Sequence, residues 1–398
     1  MNVLIVINDL SSGGAQKSLS SFLKALKEQG LLYKYNIDLL VAQKKGIFVE
    51  DIPVEVNVIE APKYFKWMNC ELSDIDFIKD FSILGIYGKI LTILKKRLKL
   101  NDDKGRSAFW YSWKNLIPTN KKEYDVAIAY MDGWPNYYVS QKVKSIKKVL
   151  WVHNEYQKLG YYKPLDEECY KACNQVITIS EDCKASFIEA FHECKDKIDV
   201  LENITLTSDI NNKANMGVAD EFVGIDNDTL KILSIGRLTE QKAFDLAIKA
   251  AFVLKKSGTV FKWVILGEGP DREKLEKLIT ENGLEDCFIM PGIKSNPYVY
   301  IKACDIFVQS SIYEGKSIVL DEAKVLAKPI VVTNYKTVHA SITNEKNGLI
   351  VEMTPDSVAE GIIRLLPGTE LRNNIVAELE TNNRGNEKEL KKYLELML

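Results

Sequence analysis

Two cations lie close together where a predicted strand gives way to a helix. The strand ends at Ile235 and is followed by Gly236 and Arg237, and Lys242 lies at the start of the next predicted helix. A guanidinium and an ammonium beside a helix N-terminus offset the charge of a diphosphate without a metal ion. The same two residues could instead be solvated surface cations, and their spacing alone does not separate the two interpretations.

Two glutamates, Glu314 and Glu322, lie eight residues apart around the start of a later predicted helix. A helix would separate them by about 12 Å along its axis and by about 80° around it, so they cannot act as a close acid–base pair. The separation suits a sugar nucleotide, with Glu322 accepting from ribose hydroxyls and Glu314 reaching a hexose. The other interpretation makes Glu314 a partner of the helix dipole and Glu322 an exposed helix charge.

The segment between the glutamates allows a ligand to come close to the backbone. Gly315 has no side chain to obstruct that approach. The amides of Lys316, Ser317 and Ile318 lie at the predicted helix N-terminus, where backbone donors have no partner inside the helix. These amides are predicted to meet the diphosphate between the two glutamates.

These motifs resemble a known family. The pattern strand-Gly-Arg-Leu-x3-Lys, followed about 70 residues later by E-x7-E, resembles the donor domain of the family-4 retaining glycosyltransferases, and nearly the whole chain is similar to their B-type fold. The resemblance implies that Arg237 and Lys242 bind the donor diphosphate, Glu322 the ribose and Glu314 the transferred sugar. Ala243 departs from the family, which usually has glycine there, and Asp321 has no assigned role.

Further segments resemble the same family. The turn at residues 266–270 matches, and the loop containing Ile293 is expected near the base of the donor. The glycine turn that includes Gly14 resembles a flexible loop whose backbone approaches the donor phosphate or the acceptor. His153, after the predicted strand at residues 148–152, is expected to face the reacting sugar, the alternative being a buried structural histidine.

The elements that position these residues alternate regularly. A strand at residues 3–7, a glycine turn, a helix and a strand at residues 35–41 form a βαβ unit, which implies a parallel sheet. A second alternation runs from residue 230 to residue 365. We therefore expect an α/β protein with two doubly wound, Rossmann-like parallel-sheet domains facing each other across a cleft, and a C-terminal helix that crosses back to the first domain.

The domain boundaries follow shifts in composition. Residues 1–200 are predicted to form an acceptor-binding domain and residues 229–368 a domain that binds the nucleotide sugar. The polar stretch at residues 201–228 is predicted to be a linker. The tail at residues 369–398 is predicted to pack on the N-terminal domain.

Composition excludes several classes of protein. Hydrophobic residues make up 46% of the 398 and charged residues 27%, as in globular proteins. The net charge of -2 gives no reason to expect a nucleic-acid partner. Neither a signal peptide nor a membrane-spanning segment is recognised, and seven irregularly spaced cysteines suggest neither disulfides nor zinc, so a cytoplasmic location is expected.

Metal and dinucleotide chemistry are not expected either. The DxD candidates, Asp74-Ile75-Asp76 and Asp226-Asn227-Asp228, look like a helix start and a linker, so no metal is predicted. GxGxxG is absent, and the second strand ends at Val41-Ala42-Gln43 without a carboxylate for an adenosine ribose. No cofactor is therefore predicted, and a dehydrogenase is disfavoured.

Cations and aromatic residues concentrate between residues 63 and 122. Within this stretch residues 83–100 have helical periodicity, with one apolar and one basic face. Such a helix could lie on an anionic membrane, on the inner face of the cytoplasmic membrane, and bring the enzyme to a lipid-linked acceptor. The alternative is a helix whose apolar face packs in the core and whose basic face is solvated.

The resemblance as a whole implies a retaining hexosyltransferase. We expect it to move a hexose-type sugar, without metal, from a nucleotide diphosphate sugar (UDP-sugar favoured) to a glycan or lipid-linked acceptor in surface polysaccharide synthesis. A sugar-nucleotide epimerase or phosphorylase on the same fold is an alternative, which product analysis would separate. A non-catalytic scaffold is another, which hydrolysis of a donor would exclude.

Overall fold

The computed structural model describes residues 1–11, 13–69, 72, 75–98, 105, 107–226, 228–382 and 385–397. It divides into two compact units. The first unit comprises Met1–Ile204 and Lys388–Leu398, and the second comprises Thr205–Glu387.

The first unit is built on a seven-stranded parallel sheet in the order β3-β2-β1-β4-β5-β6-β7. Its strands β1 to β7 are, in chain order, Asn2–Ile7, Asn36–Val41, Asn57–Glu60, Glu123–Ala129, Lys144–Val152, Gln175–Thr178 and Ile198–Val200. Its helices α1 to α7 are Gly14–Glu28, Tyr64–Asn69, Ile83–Arg97, Ala108–Trp113, Trp134–Lys142, Lys163–Ala172 and Glu181–Ala190. All but the first residue of β1 are buried, as expected for a central strand covered on both faces.

The second unit is built on a six-stranded parallel sheet in the order β10-β9-β8-β11-β12-β13. Its strands β8 to β13 are Leu230–Ile235, Phe261–Leu266, Phe288–Gly292, Ile306–Gln309, Ile330–Thr333 and Leu349–Val351. Helices α8 to α14 are Thr207–Ala214, Phe244–Lys256, Arg272–Glu281, Tyr298–Ala303, Ile318–Val325, Pro355–Arg364 and Glu370–Asn382. Apolar clusters cover this sheet on both faces. The predicted fold class, with two doubly wound parallel sheets, is confirmed.

The segment predicted to be a linker, residues 201–228, is part of the second unit from Thr205 onward, and its first four residues belong to the first unit. Helix α8 lies within it, and Ile210, Ala214, Ala219 and Phe222 are buried in the core of that unit. The sequence there is rich in Asn, Asp and Thr, so its composition gives no sign of these four apolar side chains, which are spaced three to five residues apart. The polar composition therefore reflects the exposed face of a short helix.

The C-terminal tail divides between the two units. Helix α14 belongs to the second unit, where Ile375 and Leu379 are buried, so the prediction that the whole tail packs on the first domain is wrong for this part. The final helix, α15 (Leu390–Leu396), belongs to the first unit. Its Tyr393 ring lies 4.9 Å from the ring of Phe22 in α1.

Candidate active site

The residues predicted to bind the donor follow two neighbouring strands of the second sheet. Strands β8 and β11 pair with each other, with Ile306 opposite Ile232. The strand order reverses between them, and open parallel sheets bind ligands at such a switch point, beyond the carboxyl ends of the strands. The loop at residues 236–242 leaves β8 here, and the segment containing both glutamates follows β11.

Gly236 allows two loops to pack closely at the end of β8. A Cβ atom on Gly236 would lie 3.2 Å from Cδ and Cε of Lys242, so the lysine stem folds against the glycine. Gly267, with φ of +156°, has its missing Cβ position 1.9 Å from the carbonyl oxygen of Gly236. Both positions therefore favour glycine for a steric reason, and both belong to the segments that resemble the family.

Lys242 and Glu314, 72 residues apart in sequence, form an ion pair. The Nζ atom of Lys242 lies 2.5 Å from Oε1 of Glu314, and only 17% and 9% of the two side chains is exposed. The sequence assigned Lys242 to the diphosphate and Glu314 to the sugar, and the structure brings the two residues into contact. The alternative that Lys242 is a solvated surface cation is wrong.

Lys242 lies in a single 3₁₀ turn, Glu240–Lys242, rather than at the start of helix α9. Ala243 links the turn to the helix with φ and ψ both at 46°, in the left-handed region. An L-residue there costs about 1–2 kcal/mol relative to glycine. The backbone thus adopts the conformation for which the family uses glycine, and this chain adopts it with alanine.

Arg237 differs from Lys242 in its surroundings. It is exposed and forms no ion pair with any residue in the described ranges. Since Glu314 already compensates the charge of Lys242, Arg237 is the uncompensated cation of the loop after β8. An incoming anion would meet this guanidinium without first breaking an ion pair.

Helix α12 (Ile318–Val325) begins without a side-chain cap from Ser317. The hydroxyl of Ser317 instead donates to Oε1 of Gln309 at 3.0 Å. The first amides of α12 therefore receive no hydrogen bond from the Ser317 side chain. Gly315 and Lys316, which precede Ser317, are partly exposed.

Glu322 is buried inside α12, so the alternative that it is an exposed helix charge is wrong. Its Oε1 atom accepts a hydrogen bond of 2.7 Å from the hydroxyl of Tyr298, the first residue of α11. Asp321, which had no assigned role, pairs with Lys324 at 2.8 Å. Tyr298 could not be identified from the sequence, because nothing local connects α11 with α12.

The remaining donor residue of the second unit lies at the end of β10. Ile293 follows that strand and is 45% exposed. Next to it, Gly292 has a positive φ of 91°, and a Cβ there would lie 3.1 Å from Oε1 of Glu268. Arg272 donates to both carboxylate oxygens of Glu268 and thereby lowers the pKa of that carboxyl group.

The first unit places its two predicted site residues at strand ends of its own sheet. Gly14 is exposed and begins α1, which follows β1, while Ser12 of the same turn lies outside the described residues. His153 follows β5 and is buried, with Nε2 3.0 Å from the carbonyl oxygen of Tyr130. Burial lowers the pKa of His153 to about 4, so the imidazole is neutral at pH 7 and donates through Nε2–H.

Within the described ranges, no group of three or more His, Cys, Asp or Glu side chains is arranged to hold a metal ion. Of the two DxD candidates, Asp74 and Asn227 lie outside those ranges. Asp76 accepts hydrogen bonds from the amides of Ile78 and Lys79 within its own turn. In the described part of the chain every helix is too short or too polar to span a bilayer.

Known proteins resemble this chain both in the second unit and over most of its length. Residues 218–380, which contain every predicted donor residue of the second unit, match the family described as glycosyl transferases group 1. The N-acetylgalactosamine-N,N'-diacetylbacillosaminyl-diphospho-undecaprenol 4-alpha-N-acetylgalactosaminyltransferase of Campylobacter jejuni is 26% identical over 372 residues, covering 92% of this chain and 91% of that protein.

Two further comparisons extend the likeness. An uncharacterized glycosyltransferase of Methanocaldococcus jannaschii is 28% identical over 198 residues, so the match spans 48% of this chain and only 49% of that protein. The crystal structure of Anabaena HepE in complex with UDP and glucose has the same fold, with a TM-score of 0.67 at 15% identity over 99% of this chain and 98% of that one. Residues 218–380 thus match the glycosyl transferases group 1 family, and the two-sheet fold is shared with the solved structure of HepE in complex with UDP and glucose.

Proposed function

We propose that this glycosyltransferase moves a hexose-type sugar from a nucleotide diphosphate sugar to a glycan or lipid-linked acceptor in surface polysaccharide synthesis. In this proposal the reaction retains the anomeric configuration, requires no metal ion and uses a UDP-sugar. The observation that supports it best is the site at the β8–β11 switch point. There the largely buried Lys242–Glu314 pair precedes the uncapped start of α12, and Glu322 is buried inside that helix.

Each of these groups has a place in the reaction. Glu322 holds the ribose, and the amides at the start of α12 receive the diphosphate. As the bond from the anomeric carbon to the diphosphate oxygen breaks, Arg237, Lys242 and those amides offset the negative charge that grows on the leaving group. The acceptor hydroxyl attacks the same face of the sugar, and its proton passes to the departing diphosphate.

His153 is proposed to face the reacting sugar as a neutral group. Its low pKa means that it provides no positive charge at pH 7. Its Nε2 proton is engaged with the carbonyl of Tyr130, which fixes the tautomer and leaves Nδ1 as an acceptor. A sugar hydroxyl is the partner that such an acceptor suits.

The acceptor class is proposed from the Campylobacter relative and from helix α3. The name of that relative states an acceptor linked to diphospho-undecaprenol, which is a membrane lipid. An enzyme that uses such an acceptor works at the membrane surface. Among the described residues, helix α3 has a surface suited to that contact.

Helix α3 packs on the first unit through glycines. A Cβ atom on Gly85 would lie 2.5 Å from the Trp67 ring, and one on Gly88 would lie 2.6 Å from the Trp113 ring. Both tryptophans are buried in the core of the unit. Two glycines inside a helix cost roughly 2 kcal/mol in helix propensity, and here they let the helix backbone lie directly on two indole rings.

The opposite side of α3 carries an apolar stripe, which consists of Ile83, Tyr87, Ile90 and Leu94. These residues are spaced by four, three and four positions, so they share one face, and all four are exposed. These four side chains do not pack in the core, whereas Ile86 of the same helix packs against it. The predicted segment extends to residue 100, but residues 99 and 100 lie outside the described ranges.

Other exposed groups continue this surface. Phe77, Ile78 and Phe81 are exposed in the connection before α3. Lys96 and Arg97 are exposed in its last turn, while Lys95 donates to the carbonyl oxygen of Tyr111. An apolar strip with cations at one end fits a bilayer that contains anionic lipids, and we propose that bilayer as its partner.

Calorimetric titration of UDP-, GDP-, ADP- and CDP-sugars in the presence of EDTA tests the donor site. The wild type should bind one donor, and Glu322→Gln should lose at least about tenfold in affinity because a charged acceptor for the ribose is removed. Asp321→Asn is the matched control, because it neutralises the preceding carboxylate of the same helix, which pairs with Lys324. The control should bind as the wild type does.

Other results would contradict parts of this proposal. Binding that appears only with added Mg²⁺ or Mn²⁺ would exclude a metal-independent site. Release of a free epimer, rather than a glycoside, would favour an epimerase. For the transfer reaction, NMR of the anomeric proton should show the same configuration in donor and product, and inversion would exclude the retaining mechanism.

A further inference from the structure

Three donors converge on a single oxygen of Glu314. Its Oε1 atom accepts from Nζ of Lys242 at 2.5 Å, from the hydroxyl of Ser311 at 2.6 Å and from Nε2 of Gln309 at 3.0 Å. For Oε2, the described residues provide one contact, from Nε2 of Gln241 at 3.5 Å. That distance is at the outer limit of a hydrogen bond. The carboxylate is thus held by one oxygen, and the other has acceptor capacity left.

The orientation of the Gln309 amide is set by Ser317. The hydroxyl of Ser317 donates to Oε1 of Gln309 at 3.0 Å, so the Nε2 end of the amide points toward Glu314 and Ser311. A flipped amide would place its oxygen against the Glu314 carboxylate. Gln309 and Ser311 are both buried, so water does not replace these bonds readily.

We propose that Gln309 and Ser311 are positioning residues for the transferred sugar. They occupy Oε1 of Glu314, together with Lys242, and so present Oε2 to the sugar hydroxyls in a fixed direction. This inference rests on the proposed function, in which Glu314 contacts the sugar. Charge-assisted hydrogen bonds are stronger than neutral ones, so two of them restrict the rotation of a carboxylate effectively.

The same network explains why the serine at the start of α12 does not cap its helix. Ser317 uses its hydroxyl proton to orient Gln309, and its side chain accepts no hydrogen bond from the helix amides. One chain of hydrogen bonds therefore orients the group for the sugar and leaves the helix start available to the diphosphate.

The test compares a sugar nucleotide with its own nucleoside diphosphate, because only the former has the sugar. UDP-N-acetylgalactosamine and UDP are the probes, unless the donor panel identifies a tighter pair. In Ser311→Ala the affinity for the sugar nucleotide should fall about tenfold relative to the wild type. The affinity for the nucleoside diphosphate should stay within about twofold. Gln309→Met should also lower the ratio of the affinity for the sugar nucleotide to the affinity for the nucleoside diphosphate.

Ser234→Ala is the matched control. Its hydroxyl donates to the carbonyl oxygen of Val308 at 2.7 Å and accepts from the indole of Trp263 at 3.0 Å, in the same sheet and without contact to Glu314. This variant should lose stability but keep the wild-type ratio of affinities. A change of the ratio in the control as large as that in Ser311→Ala would overturn the assignment.

The remaining outcomes are also decisive. An unchanged ratio in Ser311→Ala, or equal weakening of both ligands, would mean that the residue is merely structural. If the wild type bound no nucleotide at all, the proposed function would fail first. In that case a crystal structure of Gln309→Met tests, without any ligand, whether Gln309 positions the Glu314 carboxylate. A displaced Glu314 carboxylate is expected, and an unmoved one would overturn the inference.

Discussion

The apolar stripe on α3 gives a prediction whose size can be worked out from exposure. Replacing its four residues by serine (Ile83→Ser, Tyr87→Ser, Ile90→Ser and Leu94→Ser) should remove most of the affinity of the protein for anionic vesicles. The helix itself should persist, because the residues that pack it on the first unit, Gly85, Ile86 and Gly88, are unchanged. The perturbation therefore changes the surface and leaves the core contacts intact.

The magnitude follows from the exposed fractions. The four side chains are 76%, 53%, 49% and 47% exposed in the order of the chain, which amounts to a little over two fully exposed apolar side chains. Burial of one such side chain contributes about 2 kcal/mol, so insertion of the stripe contributes about 4–5 kcal/mol. The variant should then lose roughly a thousandfold in partition coefficient. Lys96 and Arg97 add about 1 kcal/mol each, and salt screens that part.

Cosedimentation with vesicles that contain phosphatidylserine measures the partition at low and high salt. The wild type should bind at both salt concentrations, more weakly at the higher one, and the serine variant should stay in the supernatant. A control variant replaces three exposed apolar side chains elsewhere, Val54, Ile146 and Val260, by serine. It should bind as the wild type does, and circular dichroism should show all three proteins folded.

Two results would refute the reasoning. If the serine variant partitioned within about threefold of the wild type, the stripe would not be the inserting surface. If the wild type did not bind the vesicles but formed dimers that the serine variant could not form, the partner of the stripe would be a second copy of the chain. Sedimentation velocity without lipid distinguishes this case.

Three further predictions concern stability, each measured by urea denaturation. Burial lowers the pKa of His153 from 6.5 to about 4, so its contribution is complete above pH 6.5 and the free energy of unfolding should fall by about 2 kcal/mol between pH 7 and pH 5. His153→Gln should lose that pH dependence, and an unchanged slope would contradict the assignment. Ala243→Gly should stabilise the protein by about 0.5–1 kcal/mol, because the relief of strain exceeds the entropy that glycine adds to the unfolded chain. A loss of stability would argue against that strain. Gly85→Ala should destabilise it by about 1–3 kcal/mol, because the new methyl group overlaps the Trp67 ring, and a neutral result would mean that α3 is packed more loosely.

Part of the site could be predicted because one local pattern, an apolar strand followed by polar residues, recurs along the chain. Buried strands show as apolar runs, and the residues that leave their carboxyl ends are the ones that a doubly wound sheet places at a ligand. Arg237, Lys242 and Glu314 were found in this way, at the ends of strands that prove to be neighbours. Their proposed roles as donor ligands remain predictions.

The groups around the glutamates could not be found from the sequence. Tyr298 reaches Glu322 only because α11 and α12 pack on the same face of the sheet. Gln309 is the last residue of β11, whose other residues are apolar, and only its position beside Ser317 and Glu314 shows why it is polar.

The sequence by itself determined the two-sheet α/β fold, the strand ends that carry the candidate site and the helical periodicity of α3, because each depends on residues close together in the chain. The tertiary structure decided which distant residues meet and which face of a helix is buried. The Lys242–Glu314 pair joins loops that follow different strands, and the stripe on α3 faces outward because Gly85 and Gly88 pack more closely on the core than a larger side chain could. Periodicity shows which residues share a face, but only packing determines what that face contacts.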